Sequence, residues 1–328
     1  MARKRFTPLG WLRHQRKLAT EALRRFGLVF ERVVLISAAT NFIYRVRSAE
    51  GRLYALRLVA PDWRTEDNLR AEVSWLRALG DDTQIPVPQI VETLEGEPYV
   101  CLRDDHTGQE RRALLMTWLP GTLLANRLNV QNMWKLGELI AQLHAHARGW
   151  AMPVDFPRAS FTSFLGRNEP NRLFDEALDG MPAATVDVLQ ATRQRVDRAY
   201  VNQRREDLCV IHCDLWHENV KLFRDALAPI DFEDTILGFR EHDIAMALLD
   251  LADAVQLDTY EAYMEQLRDG YESVASYPEG DILAFQLGRI LWQLNWIARF
   301  QPEHLADAAH SKAVILDEAL ATGRLAVR

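Results

Sequence analysis

Residues 210–222 read Val-Ile-His-Cys-Asp-Leu-Trp-His-Glu-Asn-Val-Lys-Leu, and residues 228–233 read Ala-Pro-Ile-Asp-Phe-Glu. In each stretch a short apolar run leads directly into polar residues, as at the end of a buried strand whose following loop carries functional side chains. We expect a β-hairpin to join the two stretches, with residues 220–223 pairing with residues 227–230 around a turn near Arg224. The pattern therefore predicts a strand, a polar loop and a hairpin, in that order.

This hairpin would gather Asp214, Asn219 and Asp231 into one site. Phosphoryl transfer needs a carboxylate beside the attacking hydroxyl, and it needs Mg²⁺ held against the phosphates by oxygen ligands. Asp214 can accept the substrate proton, while Asn219 and Asp231 offer the oxygen atoms that a hard cation prefers. Each residue alone is more often a loop polar group or a helix cap. Together, in a strand-loop-strand setting, they predict a phosphotransferase site.

The two stretches resemble the signature of the aminoglycoside phosphotransferase and choline kinase-like family, which is His-x-Asp-x-x-x-x-Asn followed by an apolar residue, Asp, Phe and an acidic residue. The resemblance covers roughly residues 30–250. It implies a bilobal, protein-kinase-like fold and ATP as the phosphoryl donor, with Asp214 as the catalytic base. It also implies that Asn219 and Asp231 bind Mg²⁺ and that His212 orients the loop.

The N-terminal half predicts an antiparallel sheet of five strands with one inserted helix. Six strand-like runs rich in β-branched, aromatic and other apolar residues occur at residues 30–36, 42–47, 52–59, 89–94, 99–103 and 114–117, of which the last is strand five or its near equivalent. The first two runs are expected to form a hairpin. Thr65, followed by Glu66 and Asp67, provides an N-cap and an acidic first turn for the helix, and Gly80 can end it.

Arg57 and Glu72 are expected to help bind the nucleotide. The run Tyr54-Ala55-Leu56-Arg57 resembles the family strand that carries a phosphate-contacting cation, and Glu72 lies where the helix glutamate would pair with that cation. A guanidinium group can bond both to a carboxylate and to a phosphate oxygen. The alternative is a strand-edge arginine that reaches the solvent along its stem.

Two further segments resemble nucleotide contacts of the family. The turn Ser37–Asn41 lacks the glycines that let a backbone wrap around phosphates. Its resemblance to the Ser-rich version of the phosphate-covering loop implies a role for Ser37, and a plain hairpin turn is the alternative. The run Met116–Leu119 resembles the hinge that holds adenine through backbone groups, which implies contacts from Thr117 and Leu119.

The run Trp118-Leu119-Pro120-Gly121 interrupts the strand pattern, and we place the lobe boundary there. The predicted domains are a basic N-terminal helical segment at 1–29, a nucleotide-binding lobe at 30–117 and a catalytic, substrate-binding lobe at 118–328. Helices are expected in the last domain at about 134–147, 183–203, 243–274 and 281–324. The fold class is therefore α+β, with a cleft expected at the junction of the two lobes.

Composition narrows the class of protein further. The chain has 328 residues, of which 48% are apolar and 26% are charged, as in an ordinary globular protein with two lobes. A net charge of −7 argues against nucleic-acid binding. We expect no membrane partner, because the sequence lacks a long uncharged apolar run. Three cysteines without zinc-type spacing favour a reducing, cytoplasmic location.

The acceptor is expected to be a hydroxyl group on a small molecule. Between Asp231 and Asp281, fourteen carboxylates stand against Arg240 and Arg268. This acidic excess is either an ordinary solvated surface or the lining of a pocket that favours a cationic amine. Aminoglycosides, amino alcohols and sugar-like molecules all remain open as acceptors, as does the oligomeric state.

Two other classes of function compete with this prediction. One is a Ser/Thr protein kinase of the bacterial stress-response type, although no Ala-Pro-Glu segment or Ser/Thr-rich activation loop is readable after Asp231. The other is a non-catalytic nucleotide-binding module. Degenerate kinases usually lose the base or a metal ligand, and Asp214, Asn219 and Asp231 are all present.

Overall fold

The computed structural model describes residues 6–61 and 63–325, which form two compact units. The first unit ends at Pro120, and the second begins at Gly121. The start of the predicted basic segment, including Arg3, Lys4 and Arg5, lies outside the described residues. In the described part of the chain, no helix has the length and apolarity that a bilayer crossing requires.

The N-terminal unit contains a five-stranded antiparallel sheet with the strand order β1-β2-β3-β5-β4. The strands are β1 Phe30–Ala38, β2 Phe42–Ser48, β3 Leu53–Leu58, β4 Val100–Arg103 and β5 Glu110–Thr117. The predicted antiparallel sheet and its first hairpin are thus confirmed. β1 runs two residues further than predicted, and Ser37 therefore lies in the strand, paired with Ile43, rather than in the turn.

The predicted strand at 89–94 is wrong. All of its residues are described, and they form an isolated bridge between Ile90 and Met116 instead of a ladder. The segment follows two prolines, at 86 and 88, which have no N–H to donate to a sheet. It then turns at Thr93, whose N–H donates to the carbonyl of Glu97 at 2.8 Å.

Two helices complete the N-terminal unit. Helix α1, Pro8–Arg25, buries Leu18 and Leu23 in the same apolar core as residues from the sheet. Helix α2, Glu66–Asp82, begins with the predicted N-cap Thr65, which forms a capping box with Asn68. Both helices are amphipathic, and a threonine side chain caps the N-terminus of each.

The C-terminal unit contains two small sheets with the strand orders β10-β9-β6 and β7-β11-β8. Their strands are β6 Thr122–Leu123, β7 Ser160–Phe161, β8 Cys209–Ile211, β9 Val220–Phe223, β10 Ala226–Pro229 and β11 Ile236–Gly238. The predicted hairpin is confirmed, with Val220 opposite Pro229. This hairpin follows the polar loop after β8 and thus positions the candidate site.

Helices make up most of the rest of this unit. They are α3 Val130–Gly149, α4 Arg172–Asp175, α5 Ala183–Val201, α6 Arg240–Ala252, α7 Leu257–Glu272, α8 Ile282–Phe300 and α9 Leu305–Thr322. The single helices predicted at 243–274 and 281–324 are each two helices. The second break coincides with Pro302, which cannot continue the hydrogen-bond ladder of a helix. The first break, at residues 253–256, has no proline or glycine to signal it.

Candidate active site

The loop between β8 and β9 is held in place by the buried carboxylate of Asp243. Cys213 adopts a left-handed backbone conformation, with φ of 70°, which is costly for a residue with a side chain. The N–H of Cys213 donates to Asp243 Oδ1 at 2.7 Å, and the N–H of His212 donates to Asp243 Oδ2 at 3.0 Å. Asp243 therefore satisfies two backbone donors that the strained loop would otherwise leave buried and unbonded.

Asp243 belongs to the first turn of α6 and is itself fixed from α3 and α7. His144 on α3 contacts Asp243 Oδ2 through Nε2 at 3.2 Å and the Tyr271 hydroxyl through Nδ1 at 3.0 Å. Burial opposes ionisation of Asp243, but the contacts with His144 and other imidazoles outweigh it and lower the pKa of Asp243. The carboxylate of Asp243, which holds the loop through two backbone hydrogen bonds, is therefore ionised.

His212 joins the loop to the end of β10. Its Nε2 lies 3.0 Å from the carbonyl oxygen of Ile230, and the N–H of Asp214 points to its Nδ1 at 3.4 Å. Nε2 must then carry the proton, since a carbonyl can only accept. Burial lowers the pKa of His212, which favours the neutral ring. These contacts are of the kind expected for a residue that orients the loop.

The carboxylate of Asp214 has two side-chain partners. Asn219 Nδ2 donates to Asp214 Oδ2 at 2.8 Å and to the Asp214 backbone carbonyl at 2.9 Å. Arg289 Nη2 forms an ion pair with Asp214 Oδ1 at 3.0 Å. Burial raises the pKa of Asp214 to about 6, and the carboxylates of Asp234 and Glu233 add to the rise while Arg289 opposes it.

Asn219 and Asp231 fit the requirements of a Mg²⁺ site. The N–H of Ile230 donates to the carbonyl of Asn219 at 2.8 Å, so that Asp231 follows directly beside the loop. Because the amide nitrogen of Asn219 bonds to Asp214, the oxygen Oδ1 is the atom left for a metal. Asp231 is exposed and lies in the left-handed region, with φ of 63°.

A metal at this position would need ligands beyond the protein. Over residues 6–61 and 63–325, no group of three or more His, Cys, Asp or Glu side chains is arranged to hold a metal ion. Mg²⁺ commonly takes one or two protein oxygens and completes its octahedron with water and substrate phosphates. One amide oxygen and one carboxylate therefore suit Mg²⁺ that arrives with a nucleotide better than a dedicated metal centre.

In the N-terminal unit, Arg57 and Glu72 form a salt bridge that is sealed from solvent. Their side chains are 2% and 1% exposed, respectively. Arg57 lies inside β3, opposite Leu114 of β5 and Ile43 of β2. The alternative, an arginine whose side chain reaches the solvent, is therefore wrong. The guanidinium group is buried and pairs with the glutamate of the helix.

The remaining predicted nucleotide contacts lie at the ends of strands in the N-terminal unit. Ser37 is partly buried near the end of β1. Thr117 ends β5, with its N–H bonded to the Gln89 carbonyl and its hydroxyl accepting from the Gln89 N–H, both at 2.9 Å. Leu119 follows in an irregular, partly buried segment. The turn after Ser37 is secured by Asn41, whose Oδ1 accepts from the N–H of Ala60 at 3.0 Å.

Sequence reasoning missed Arg289, the cationic partner of Asp214. Arg289 is the one charged residue in the stretch 282–298 of the mostly apolar helix α8. A single charged residue in such a helix normally has a partner of opposite charge. This expectation was the sequence signal that could have identified Arg289. The partner itself, Asp214, lies on a loop far away in sequence.

The acidic excess after Asp231 divides into two groups. Most of these carboxylates, including Asp253 and Glu265, are exposed, as expected of a solvated surface. Asp250 on α6 is partly buried, lies within electrostatic range of Asp214 and Arg289, and makes no hydrogen bond in the described part of the chain. Burial raises its pKa to about 6. Asp250 is thus a carboxylate that has Arg289 and Lys312 within electrostatic range but receives no hydrogen bond from the described residues.

Comparison with known proteins shows a family match over most of the chain. The model of the phosphotransferase enzyme family matches residues 32–277, which include both units' candidate residues. A probable ketoamine kinase of Vibrio vulnificus (strain CMCP6) is 24% identical over 322 residues, covering 93% of this chain and 99% of that protein. An uncharacterized protein of Synechocystis is 23% identical over 270 residues, covering 77% and 69% of the two chains.

Solved structures share the fold. A microcompartment-associated aminopropanol kinase superposes with a TM-score of 0.78 at 21% identity, covering 95% of this chain and 99% of that one. An amicoumacin kinase in complex with AMP-PNP, Ca²⁺ and Ami gives a TM-score of 0.74 at 17% identity, covering 95% and 94%. Spectinomycin phosphotransferase in complex with ADP and spectinomycin gives 0.64 at 13% identity, covering 94% and 98%. The predicted α+β, kinase-like fold is confirmed.

Proposed function

Because the chain belongs to the phosphotransferase enzyme family, whose members are kinases that act on hydroxyl groups of small molecules, we propose that it transfers the γ-phosphoryl group of ATP. The proposed acceptor is a hydroxyl group on a small, amine-bearing molecule, and Mg²⁺ is the proposed cofactor. One observation carries the proposal: Asn219 Nδ2 donates a hydrogen bond to the carboxylate of Asp214 at 2.8 Å. The amide oxygen of Asn219, Oδ1, therefore points away from the proposed base. A base and a metal ligand are thereby fixed relative to each other.

In the catalytic domain, proposed as residues 118–328, Asp214 is the base and Asn219 and Asp231 are the metal ligands. Bound Mg²⁺ would neutralise charge on the phosphates. Asp214 would accept a hydrogen bond from the acceptor hydroxyl and take its proton as the phosphoryl group transfers. His212 would keep the loop in register without touching the reacting atoms, as its bonds to Ile230 and Asp214 support.

The nucleotide-binding domain, proposed as residues 30–117, would hold ATP through four contacts. Thr117 and, just past the domain boundary, Leu119 would meet adenine through backbone groups. Ser37 and Arg57 would meet the phosphates, with Glu72 fixing the direction of the guanidinium group. The salt bridge between Arg57 and Glu72 supports this role, since a planar guanidinium can bond to a carboxylate and a phosphate oxygen at the same time.

We propose an amine on the acceptor because of Asp250. Burial raises the pKa of Asp250 although Arg289 and Lys312 oppose the rise. A partly buried carboxylate that receives no hydrogen bond is stabilised further by a cation in direct contact. An ammonium group of the acceptor would supply that cation, within reach of the base. The exposed carboxylates further along α7, such as Glu265, need no such explanation.

The two alternatives find less support. In a protein kinase the chain after the metal-binding aspartate must form a platform for a peptide, whereas here α6 starts at Arg240, directly after β11. A non-catalytic nucleotide-binding module would not need Asp214, whose loop is held by a fully bonded Asp243. Both observations favour a catalytic site for small acceptors.

The test is ADP release by the purified protein with ATP and Mg²⁺ across a panel of amino alcohols, hydroxy amino acids, aminoglycosides, sugars and a generic protein. Asp214→Asn should lower kcat by about 100- to 10,000-fold while ATP still binds, as expected for loss of a general base. Asp258→Asn, on the exposed start of α7, is the matched control. Turnover that survives in Asp214→Asn, or that requires the protein substrate, would contradict the proposal.

A further inference from the structure

Arg289 stands at the end of a chain of contacts that runs along one face of α8. Its guanidinium group lies over the Trp292 ring, 4.1 Å from the centroid, while Nη2 bonds to Asp214 at 3.0 Å. The Trp292 Nε1–H donates to Glu169 at 2.7 Å, and Glu169 also pairs with Arg299 at 3.6 Å. Trp292, which is itself held by Glu169, thus fixes the direction of the guanidinium group towards Asp214.

The same helix face fixes the irregular segment that carries Glu169. Asn295 Oδ1 accepts from the N–H of Leu173 at 3.0 Å, and Asn295 Nδ2 donates to the Pro170 carbonyl at 3.1 Å. At the other end, Arg167 Nη2 donates to the Asp234 carbonyl at 2.5 Å. The segment is therefore anchored at several points, and it forms a fixed wall beside Arg289.

Arg289 retains a donor for a ligand. A guanidinium group carries five N–H bonds. Over the residues that the structure describes, Nη2 bonds to Asp214, the Nε–H is buried without a partner, and Nη1 makes no hydrogen bond. The side chain is 12% exposed, which leaves part of it open to solvent. Nη1 is thus the donor that an oxygen of a bound molecule can use.

The charges beside Asp214 are of both signs. An acceptor hydroxyl must come within about 3 Å of the base, and it therefore lies beside Arg289 as well. Arg289 would repel a cationic group of the acceptor and attract a carboxylate. The carboxylate could form a bidentate hydrogen-bonded pair with the guanidinium group. Asp250, on the neighbouring helix α6, has the opposite preference.

We propose that Arg289 is a specificity-determining residue of the acceptor site, and that it selects acceptors with a carboxylate close to the reacting hydroxyl. Since Asp250 would take the amine, the acceptor class is the hydroxy amino acids rather than the amino alcohols that lack the carboxylate. Arg289 also acts as a positioning residue for Asp214. The inference rests on the proposed function and names its substrate class.

Three matched pairs of acceptors isolate the contribution of the carboxylate. They are serine with ethanolamine, threonine with 1-aminopropan-2-ol, and homoserine with 3-aminopropan-1-ol; each pair differs by one carboxylate. The quantity to measure is the ratio of kcat/KM within a pair. A defect in folding or in ATP binding affects both members equally and cancels from the ratio.

In the wild type, we expect a ratio of about tenfold or more in favour of the hydroxy amino acid in at least one pair. Arg289→Gln should lower that ratio by about tenfold through the KM of the hydroxy amino acid, with the KM for ATP unchanged. Arg289→Lys should restore part of the ratio, since it returns the charge without the planar fork. Arg268→Gln, which removes an exposed arginine paired with Glu272 on α7, is the control and should leave the ratio unchanged.

Three results would overturn the inference: amino alcohols preferred in every pair, an unchanged ratio in Arg289→Gln, or turnover of other acceptors but of no member of the three pairs. In each case, ADP release that depends on Asp214 would leave the proposed function standing. Absence of such release with every acceptor on the panel would instead refute the proposed function, and this inference with it.

Discussion

Each unit of the protein contains one arginine-carboxylate pair at its candidate site, and the two pairs differ in exposure. Arg57 and Glu72 are 2% and 1% exposed, and they join a strand to the helix that follows it. Arg289 and Asp214 are 12% and 23% exposed, and they join a late helix to a loop. The first pair is almost fully buried, whereas the second is partly exposed.

The difference in exposure separates what each pair does. In a sealed pair, loss of either partner leaves an uncompensated buried charge, so the pair is above all a constraint on the fold. In a partly open pair, water screens the attraction and the contribution to stability is small, so the charges remain available for substrate. We therefore expect a change at Glu72 to act mainly on stability, a change at Arg57 to act on stability and on ATP binding, and changes at Arg289 and Asp214 to act on turnover.

The largest expected effect is on the sealed pair. Glu72→Ala should lower the free energy of unfolding by about 3–5 kcal/mol, because the buried guanidinium group of Arg57 would lose the carboxylate of Glu72. Urea denaturation of the purified variant measures this loss. Glu50→Ala, which removes the carboxylate of an exposed ion pair with Arg52, serves as the control. A loss for Glu72→Ala as small as that of the control would show that the sealed pair behaves like a surface pair.

Replacing both members of the sealed pair should separate stability from nucleotide binding. In the double variant Arg57→Met with Glu72→Leu, we expect most of the stability lost in Glu72→Ala to return, since well-packed apolar residues often replace a buried ion pair at no net cost. ATP binding, measured by calorimetry, should be lost in the double variant, because it lacks the guanidinium group of Arg57. Binding of ATP by the double variant with wild-type affinity would contradict the proposed phosphate contact of Arg57.

A smaller effect is expected at Asp250. Asp250→Asn should raise the KM for an amine-bearing acceptor by about tenfold, the factor that corresponds to about 1.4 kcal/mol, and should leave the KM for ATP unchanged. The exposed Asp253, just after α6, gives the matched control Asp253→Asn. Equal changes in the two variants would assign the effect to the overall acidic surface instead of to Asp250.

The smallest expected effect is on the stability of the open pair. Arg289→Gln should change the free energy of unfolding by less than about 1 kcal/mol, because the ion pair with Asp214 is partly exposed. Urea denaturation under the conditions used for Glu72→Ala allows direct comparison. A loss as large as that of Glu72→Ala would remove the distinction between the two pairs.

Much of the N-terminal unit could be predicted because its signals are local. The Thr65 cap and the first hairpin depend on residues close together in sequence, whereas the pairing of Arg57 with Glu72 was expected from the resemblance to the family. Prediction failed at residues 89–94, where an apolar run between turns looks like a strand but makes one bridge. Prolines nearby outweighed the pattern.

The sequence of the C-terminal unit identified the loop and hairpin that carry Asp214, Asn219 and Asp231, because these residues are adjacent along the chain and their chemistry is legible from spacing. Tertiary structure alone brought Arg289 to Asp214 and His144 to Asp243. Helix packing made these contacts, and no short-range pattern encodes which buried polar groups will meet. Periodicity and caps act over a few residues, whereas the charged residues that shift the pKa of Asp214 include Arg289, which comes from a distant helix that packs against the same loop.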